Sequence, residues 1–112
     1  MLKKQYRLKK RKSFNYIHRR GKRIGNEVLG LVFVYAKMRT IKIGFSVSKK
    51  VGNSVVRHRA TRLLRAAANT FVDKIKPDHS LIFIANEGIT KRHLNEIIAS
   101  MENVLKRGGL LK

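Results

Sequence analysis

Residues 53–72 constrain the fold more than any other stretch of this chain. Set out at about 100° per residue, Val56, Ala60, Leu63, Leu64, Ala67 and Phe71 share one side. His58, Thr61, Arg62, Arg65 and Asn69 share the opposite side, with Arg57 and Arg59 at its edges. A segment sorted in this way is a helix, and its apolar side must be buried against other elements. The basic side is then carried on a rigid support. Val51-Gly52-Asn53 reads as a turn, and Asn53 or Ser54 caps the helix. With Lys49 and Lys50 in front, residues 49–65 hold Lys49, Lys50, Arg57, Arg59, Arg62 and Arg65 and no acid. A helix N-terminus offers unpaired N–H groups to anions, and arginine forks match phosphate oxygens in pairs.

The remainder of the chain leans the same way. Lys and Arg number 27 against six acids, a net charge of +21 over 112 residues. Self-repulsion at that density opposes folding, so it points to a polyanionic partner such as nucleic acid. A disordered basic tail is excluded by patterning, because 43% of residues are hydrophobic and they recur with regular periods. A membrane surface fits less well, since the charge is spread along the chain and adjoins no apolar anchor. The N-terminal run MLKKQYRLKKRK has no apolar stretch behind it and does not read as a signal peptide. Absence of cysteine agrees with a reducing cytoplasm. One domain over residues 1–112 is expected, with residues 1–12 as a basic, mobile arm.

Ser13 is expected to cap a helix over Phe14–Arg20 that Gly21 ends. Val28–Tyr35 reads as a strand. Ile41–Ser48 alternates, with Ile41, Ile43, Phe45 and Val47 on one face and Lys42, Gly44, Ser46 and Ser48 on the other. The short link Ala36–Thr40 predicts that these two strands pair antiparallel. Gly30, Gly44, Ser46 and Ser48 are too small to fill a core. They form either a solvated face or a shallow groove where a ligand backbone approaches closely. Leu81–Ala85 (LIFIA) suits a strand buried on both faces. Thr90 is expected to cap a last helix through Leu94, Ile97, Ile98, Met101, Val104 and Leu105, stopped by Gly108-Gly109. The order is helix, two or three strands, helix, strand, helix, an α+β sandwich.

Metal-dependent nucleases gather carboxylates around Mg²⁺. Glu27, Asp73, Asp78, Glu87, Glu96 and Glu102 are scattered, and none lies in the basic segment. The four histidines show no ligand spacing. No metal site and no catalytic residue of the chain's own is expected. His58, among arginines, reads as an RNA-contacting or stacking group. Phe14 is either core or a stacking platform, and Tyr16 is expected to be exposed for stacking on unpaired bases.

Residues 46–65, SVSKKVGNSVVRHRATRLLR, resemble the signature of the bacterial ribonuclease P protein subunit, close to SVSKK-x-GN-x-V-x-RN-(R/K)-x-KR-x-x-R. Arg7, Leu8, Phe14, Ile17 and Gly21 match the family's opening, and Asn26 falls where the family often has Asn. His58 stands where Asn is usual and Thr61 where Lys is usual, which keeps a hydrogen-bonding ring and removes one charge. The resemblance implies a two-layer sandwich with a four-stranded, mainly antiparallel sheet, order α-β-β-β-α-β-α. It also implies a ribosomal-protein-like, left-handed β-α-β crossover. It implies a protein that assists an RNA catalyst using RNA-bound Mg²⁺ to remove the 5′ leader of precursor tRNA. Lys49, Lys50, Asn53, Arg57, His58, Arg59, Arg62 and Arg65 would dock on the catalytic RNA. Phe14, Ile17, His18, Gly30, Val32, Gly44, Ser46 and Ser48 would form the leader cleft. The implied partners are the catalytic RNA and precursor tRNA, one protein per RNA, with no membrane and no small-molecule substrate. A structural ribosomal RNA-binding protein is the alternative that charge and size also suit. A DNA-binding protein would be expected to show a recognition helix and a dimer seam.

Overall fold

The computed structural model describes residues 2–112. The helices are α1 (Arg11–Arg20), α2 (Ser54–Asn69) and α3 (Leu94–Arg107). The strands are β1 (Lys22–Gly25), β2 (Leu29–Tyr35), β3 (Ile41–Ser46) and β4 (His79–Ala85). The expected α-β-β-β-α-β-α order is observed. The strands lie in the order β1-β2-β4-β3, with β1-β2 and β2-β4 antiparallel and β3-β4 parallel around α2.

β2 and β3 are therefore not partners, and the antiparallel pair expected from their short link is corrected. The reason lies in β4. Leu81 and Phe83 bury toward one side of the sheet and Ile82 toward the other. A strand apolar on both faces belongs inside a sheet, whereas β3, with Lys42, Gly44 and Ser46 on one face, suits an edge. Flanking strands are then about 10 Å apart, and Ala36–Thr40 spans that gap over the start of β4. Asp78 holds the bridge: its Oδ1 accepts from Met38 N at 2.9 Å and Arg39 N at 2.8 Å. Its backbone accepts from Ala36 N and donates to Thr40 O, both at 2.8 Å. The two amide donors pull the Asp78 carboxyl below its ordinary pKa.

One face of the sheet carries Leu29, Leu31, Phe33, Ile41, Ile43, Leu81 and Phe83 and is sealed by α2 and α3. Ala60, Leu64, Ala67 and Ala68 of α2 and Ile97, Met101, Val104 and Leu105 of α3 are buried there. The expected split of α2 into two sides is observed. The opposite face receives α1, seated through Ile17 on Val32 and Ile82, and Leu8 of the N-terminal segment beside it.

Two local expectations, the caps at Ser13 and Thr90, are corrected, and a third, Gly21 as the end of the first helix, is observed. Helix α1 begins at Arg11, one turn's worth of residues before Phe14, with Lys10 at its N-cap and no side-chain cap. It ends at Gly21, whose φ of −77° is ordinary. Glycine is needed there because a Cβ would lie 2.6 Å from Val32 Cγ1. Helix α3 is capped at His93, whose N–H donates to Glu96, while Thr90 lies in a separate turn.

The N-terminal segment, expected as a mobile arm, is docked over residues 2–10. Leu2 is buried in the main core. Leu8 N donates to Ile43 O at 2.9 Å, and Lys42 Nζ donates to Gln5 O. Isolated leucines in a basic run anchor it, a signal with no periodicity to reveal it. Asn26 clamps the β1–β2 turn. Its Oδ1 accepts from Val28 N and Leu29 N, and its Nδ2 donates to Ser100 O of α3.

Candidate nucleic-acid interface

The basic element begins with a turn only this sequence supports. Gly52 has φ 154° and ψ −166°, a conformation open essentially to glycine. A Cβ there would also sit 2.8 Å from Val56 Cβ. Asn53 follows as the N-cap, its Oδ1 accepting from Val56 N at 3.0 Å. Of the two candidate caps, Asn53 is the one used. Gly-Asn thus folds the chain from β3 into α2 and leaves Lys49 and Lys50 exposed on a short helical turn beside the helix start.

Along α2 the cations divide into two rows. His58, Arg59 and Arg62 are exposed and, with Ser54 and Val55, line a shallow recess of about 420 Å³. Val55 is 68% exposed, an apolar contact in an otherwise cationic wall. Arg57, Thr61 and Arg65 follow at i, i+4 spacing and are half-buried. Thr61 Oγ1 donates to Arg57 O at 3.1 Å, so this hydroxyl is turned back onto the helix. Arg57 Nε and Arg65 Nε are buried donors without partners among the described residues. Buried donors are normally paired. Two arginines in one row, each with an unpaired Nε, are suited to an arriving phosphate.

Arg65 and Thr61 share a second recess, of about 270 Å³, with Phe14, Gly44, Phe45 and Leu8. The fold thereby joins two groups that the sequence keeps apart. Arg65 is expected on one RNA and Phe14 on another, yet they line the same depression.

The expected cleft residues separate into distinct parts. Ile17 and Val32 are 2% and 0% exposed and form the floor beneath α1, so they present no surface to a ligand. Gly44 is not open either. A Cβ on it would lie 2.5 Å from Phe14 Cζ and 3.1 Å from Leu8 Cδ2, so its smallness seats the Phe14 ring. The open strip lies one row further along. Gly25 pairs Gly30, Gly30 pairs Ile84, and Ile84 pairs Ser46, making a row of small residues and one isoleucine across all four strands. Ser48 continues beyond it, exposed. Sequence reasoning misses Ile84, because a continuous apolar run does not show which member lies uncovered.

His18 lies on α1 beside β1, its Nδ1 3.3 Å from Arg23 Nη2. Partial burial, then the Arg23 charge, hold its pKa below that of a free imidazole. It therefore accepts from arginine as a neutral ring.

The acids lie elsewhere. Glu96 and Glu102 pair with Arg92 and Lys106 along α3, and Asp78 is committed to its loop. No acidic side chain lines either recess. Among the described residues no three His, Asp or Glu side chains are grouped to hold a metal ion, and no helix is long and apolar enough to cross a membrane.

The chain is similar to known proteins over nearly its whole length. A family model described as Ribonuclease P matches residues 2–109. The ribonuclease P protein component of Clostridium novyi is 38% identical over 112 residues, covering 97% of this chain and 98% of that protein. That of Clostridium kluyveri is 37% identical over 110 residues, with coverages of 96% and 97%. The solved ribonuclease P protein of Staphylococcus aureus superposes with a TM-score of 0.85 at 29% identity, covering 96% of this chain and 98% of that one. That of Thermotoga maritima, at 23% identity and a TM-score of 0.81 over 90% of this chain and 96% of that one, shares the fold. The chain belongs to the family of ribonuclease P protein components, which are subunits of an endoribonuclease.

Proposed function

We propose that this ribonuclease P protein component docks on the catalytic RNA through the turn and helix at 49–65 and receives the 5′ leader of precursor tRNA on the sheet face beside α1. Lys49, Lys50, Asn53, Arg57, His58, Arg59 and Arg62 meet the catalytic RNA. Phe14, His18, Gly30, Ile84, Ser46 and Ser48 meet the leader, and Arg65 lies where the two RNAs approach each other. The holoenzyme works in the cytoplasm with one protein per RNA.

One observation carries this reading: Arg65 of α2 and Phe14 of α1 line a single recess, so the cationic side of α2 adjoins the ring that would receive the leader. A folded RNA can be held by phosphate contacts on one side while an unpaired strand lies across the other. The strip lets a sugar-phosphate backbone approach the sheet, and the Phe14 ring offers a platform for a base. Cations on a helix anchored in the core hold phosphates in fixed positions, which orients the scissile bond for the catalyst. Mg²⁺ bound to RNA would activate water and stabilise the leaving oxygen. By neutralising nearby phosphates, the protein reduces the Mg²⁺ concentration needed for folding and substrate binding.

The test is reconstitution. The chain is mixed with a bacterial ribonuclease P RNA and labelled precursor tRNA at low Mg²⁺. A single cut at the mature 5′ end, dependent on both components, is expected. Cleavage by nuclease-checked protein without RNA, or no stimulation of the RNA, would overturn the reading.

A further inference from the structure

A third and larger recess, of about 570 Å³, lies on the other side of α1 from Phe14 and the small-residue strip. Its size falls in the range of about 300–1,000 Å³ typical of small-ligand sites. The docked N-terminal segment forms one wall and α1 another. Leu8, Val34 and Ala36 make the surface apolar, with Ile17 buried behind them. Lys4, Arg7, Lys9, Lys10, Lys12 and Lys42 also line it, and no acid does. Tyr16, 50% exposed, stands at the recess on α1.

Ser80 decides what such a site would take. It lines the recess from β4, between Val34 and Lys42 in the strand register. It is the only buried polar residue among those described, at 8% exposure. Its hydroxyl enters no side-chain hydrogen bond with the described residues and, unlike Arg57 Nε and Arg65 Nε, is not sealed from solvent, so it is left open at the recess. An apolar slot with one unpaired hydroxyl, an aromatic ring at its side and cations around it matches a nucleobase with a phosphate on either side. The base supplies an apolar face for the ring and edge groups for the hydroxyl, and the phosphates answer the lysines.

We propose that this recess binds one unpaired nucleotide of RNA, its base against Tyr16 and hydrogen-bonded to the Ser80 hydroxyl, its phosphates on the surrounding lysines. The site rests on the RNA-binding reading above and adds a second point of strand contact, set apart from the small-residue strip by α1 and sharing Arg7, Leu8 and Lys9 with the Phe14 recess. A nucleotide of the precursor leader and an unpaired nucleotide of the catalytic RNA have the same chemistry, and the experiment distinguishes them.

Affinities of native protein and of Tyr16→Ala, Tyr16→Phe and Ser80→Ala are measured for catalytic RNA alone. With particles reconstituted at saturating RNA, they are measured for precursor and mature tRNA. Thermal melts accompany every variant. Tyr16→Ala should weaken one of these interactions about 5- to 150-fold, the range for one base stacked on an aromatic ring, and Tyr16→Phe should restore it. Ser80→Ala should weaken the same interaction and change its preference among the four bases at one nucleotide position. Loss confined to precursor tRNA assigns the nucleotide to the leader, and loss with catalytic RNA alone assigns it there. Folded Tyr16→Ala and Ser80→Ala proteins with native affinity in every arm would overturn the site. Arg62→Ala run in parallel keeps that result distinct, because its loss of catalytic RNA affinity would show the wider reading intact.

Discussion

The two faces of the sheet are finished in opposite ways. On one, α2 and α3 seal a continuous apolar core, and residues such as Leu31, Leu64, Leu81, Phe83 and Met101 have no exposure at all. On the other, α1 covers only part of the surface through Ile17 and Phe14, and leaves a strip of small residues on one side and a lysine-lined recess on the other. A sheet closed on one face needs little more for stability, so its second face is free to meet a ligand. Helix α2 belongs to both worlds, with a buried side against the sheet and a cationic side facing outward. The lesson is that stability and RNA affinity should be separable by substitution, even within one helix.

The largest effect expected from breaking this division is at Leu64. Leu64→Ala opens a void in the sealed core and should cost about 2–5 kcal/mol, read by denaturant unfolding, while the molecules still folded keep native RNA affinity. Gly44→Ala should come next. Its Cβ would stand 2.5 Å from the Phe14 ring, so the ring must shift, at a cost of about 1–3 kcal/mol in stability. Precursor tRNA binding should weaken with it, which sharpens the comparison by showing the thin face responding in both properties. Arg62→Ala should change stability by less than about 0.5 kcal/mol yet weaken docking on the catalytic RNA. It should also reduce the steepness of the salt dependence by about 0.7–0.9 for each phosphate that is no longer neutralised. If Arg62→Ala lowered the melting temperature as much as Leu64→Ala, the two sides of α2 would not be distinct. Asp78 provides the smallest effect. Its folded-state pKa is lowered from 3.8, so its contribution is present above that pH and lost as pH falls through the lower folded value. Asp78→Asn keeps a residue type that tolerates the positive φ of 67°. It should flatten the acid limb of the stability profile without altering RNA affinity at neutral pH.

How much can be read in the sequence follows the same line. Helix α2 is legible apart from its end, which falls at Asn69 and leaves Phe71 in the following turn, because one element carries both signals, the apolar period and the arginines that avoid it. The family signature at 46–65 is legible for the related reason that Gly52, Asn53 and the arginines are fixed by local geometry. Strand pairing is not, since alternation shows which way side chains point and says nothing about the neighbour. Only the apolar run of β4, unsuited to an edge, holds a clue that it separates β2 from β3. Gly44 is easily misread because a glycine that opens a groove and one that seats a ring look alike in sequence. The docked N-terminus escapes because Leu2 and Leu8 act through tertiary contacts that no local period announces. Ser80 carries no signal at all, since its meaning depends on what surrounds it.

The central claim is that the thinly covered face binds the leader while the sealed face only holds the fold. It is tested most directly by the affinities of reconstituted particles for precursor and mature tRNA, comparing native protein with Phe14→Ala and checking each by thermal melting. The native particle should prefer the precursor, and Phe14→Ala should lose about 5- to 150-fold on the precursor with mature tRNA binding unchanged and the protein still folded. Equal loss on both tRNAs, or no loss on either, in a folded variant would contradict the account.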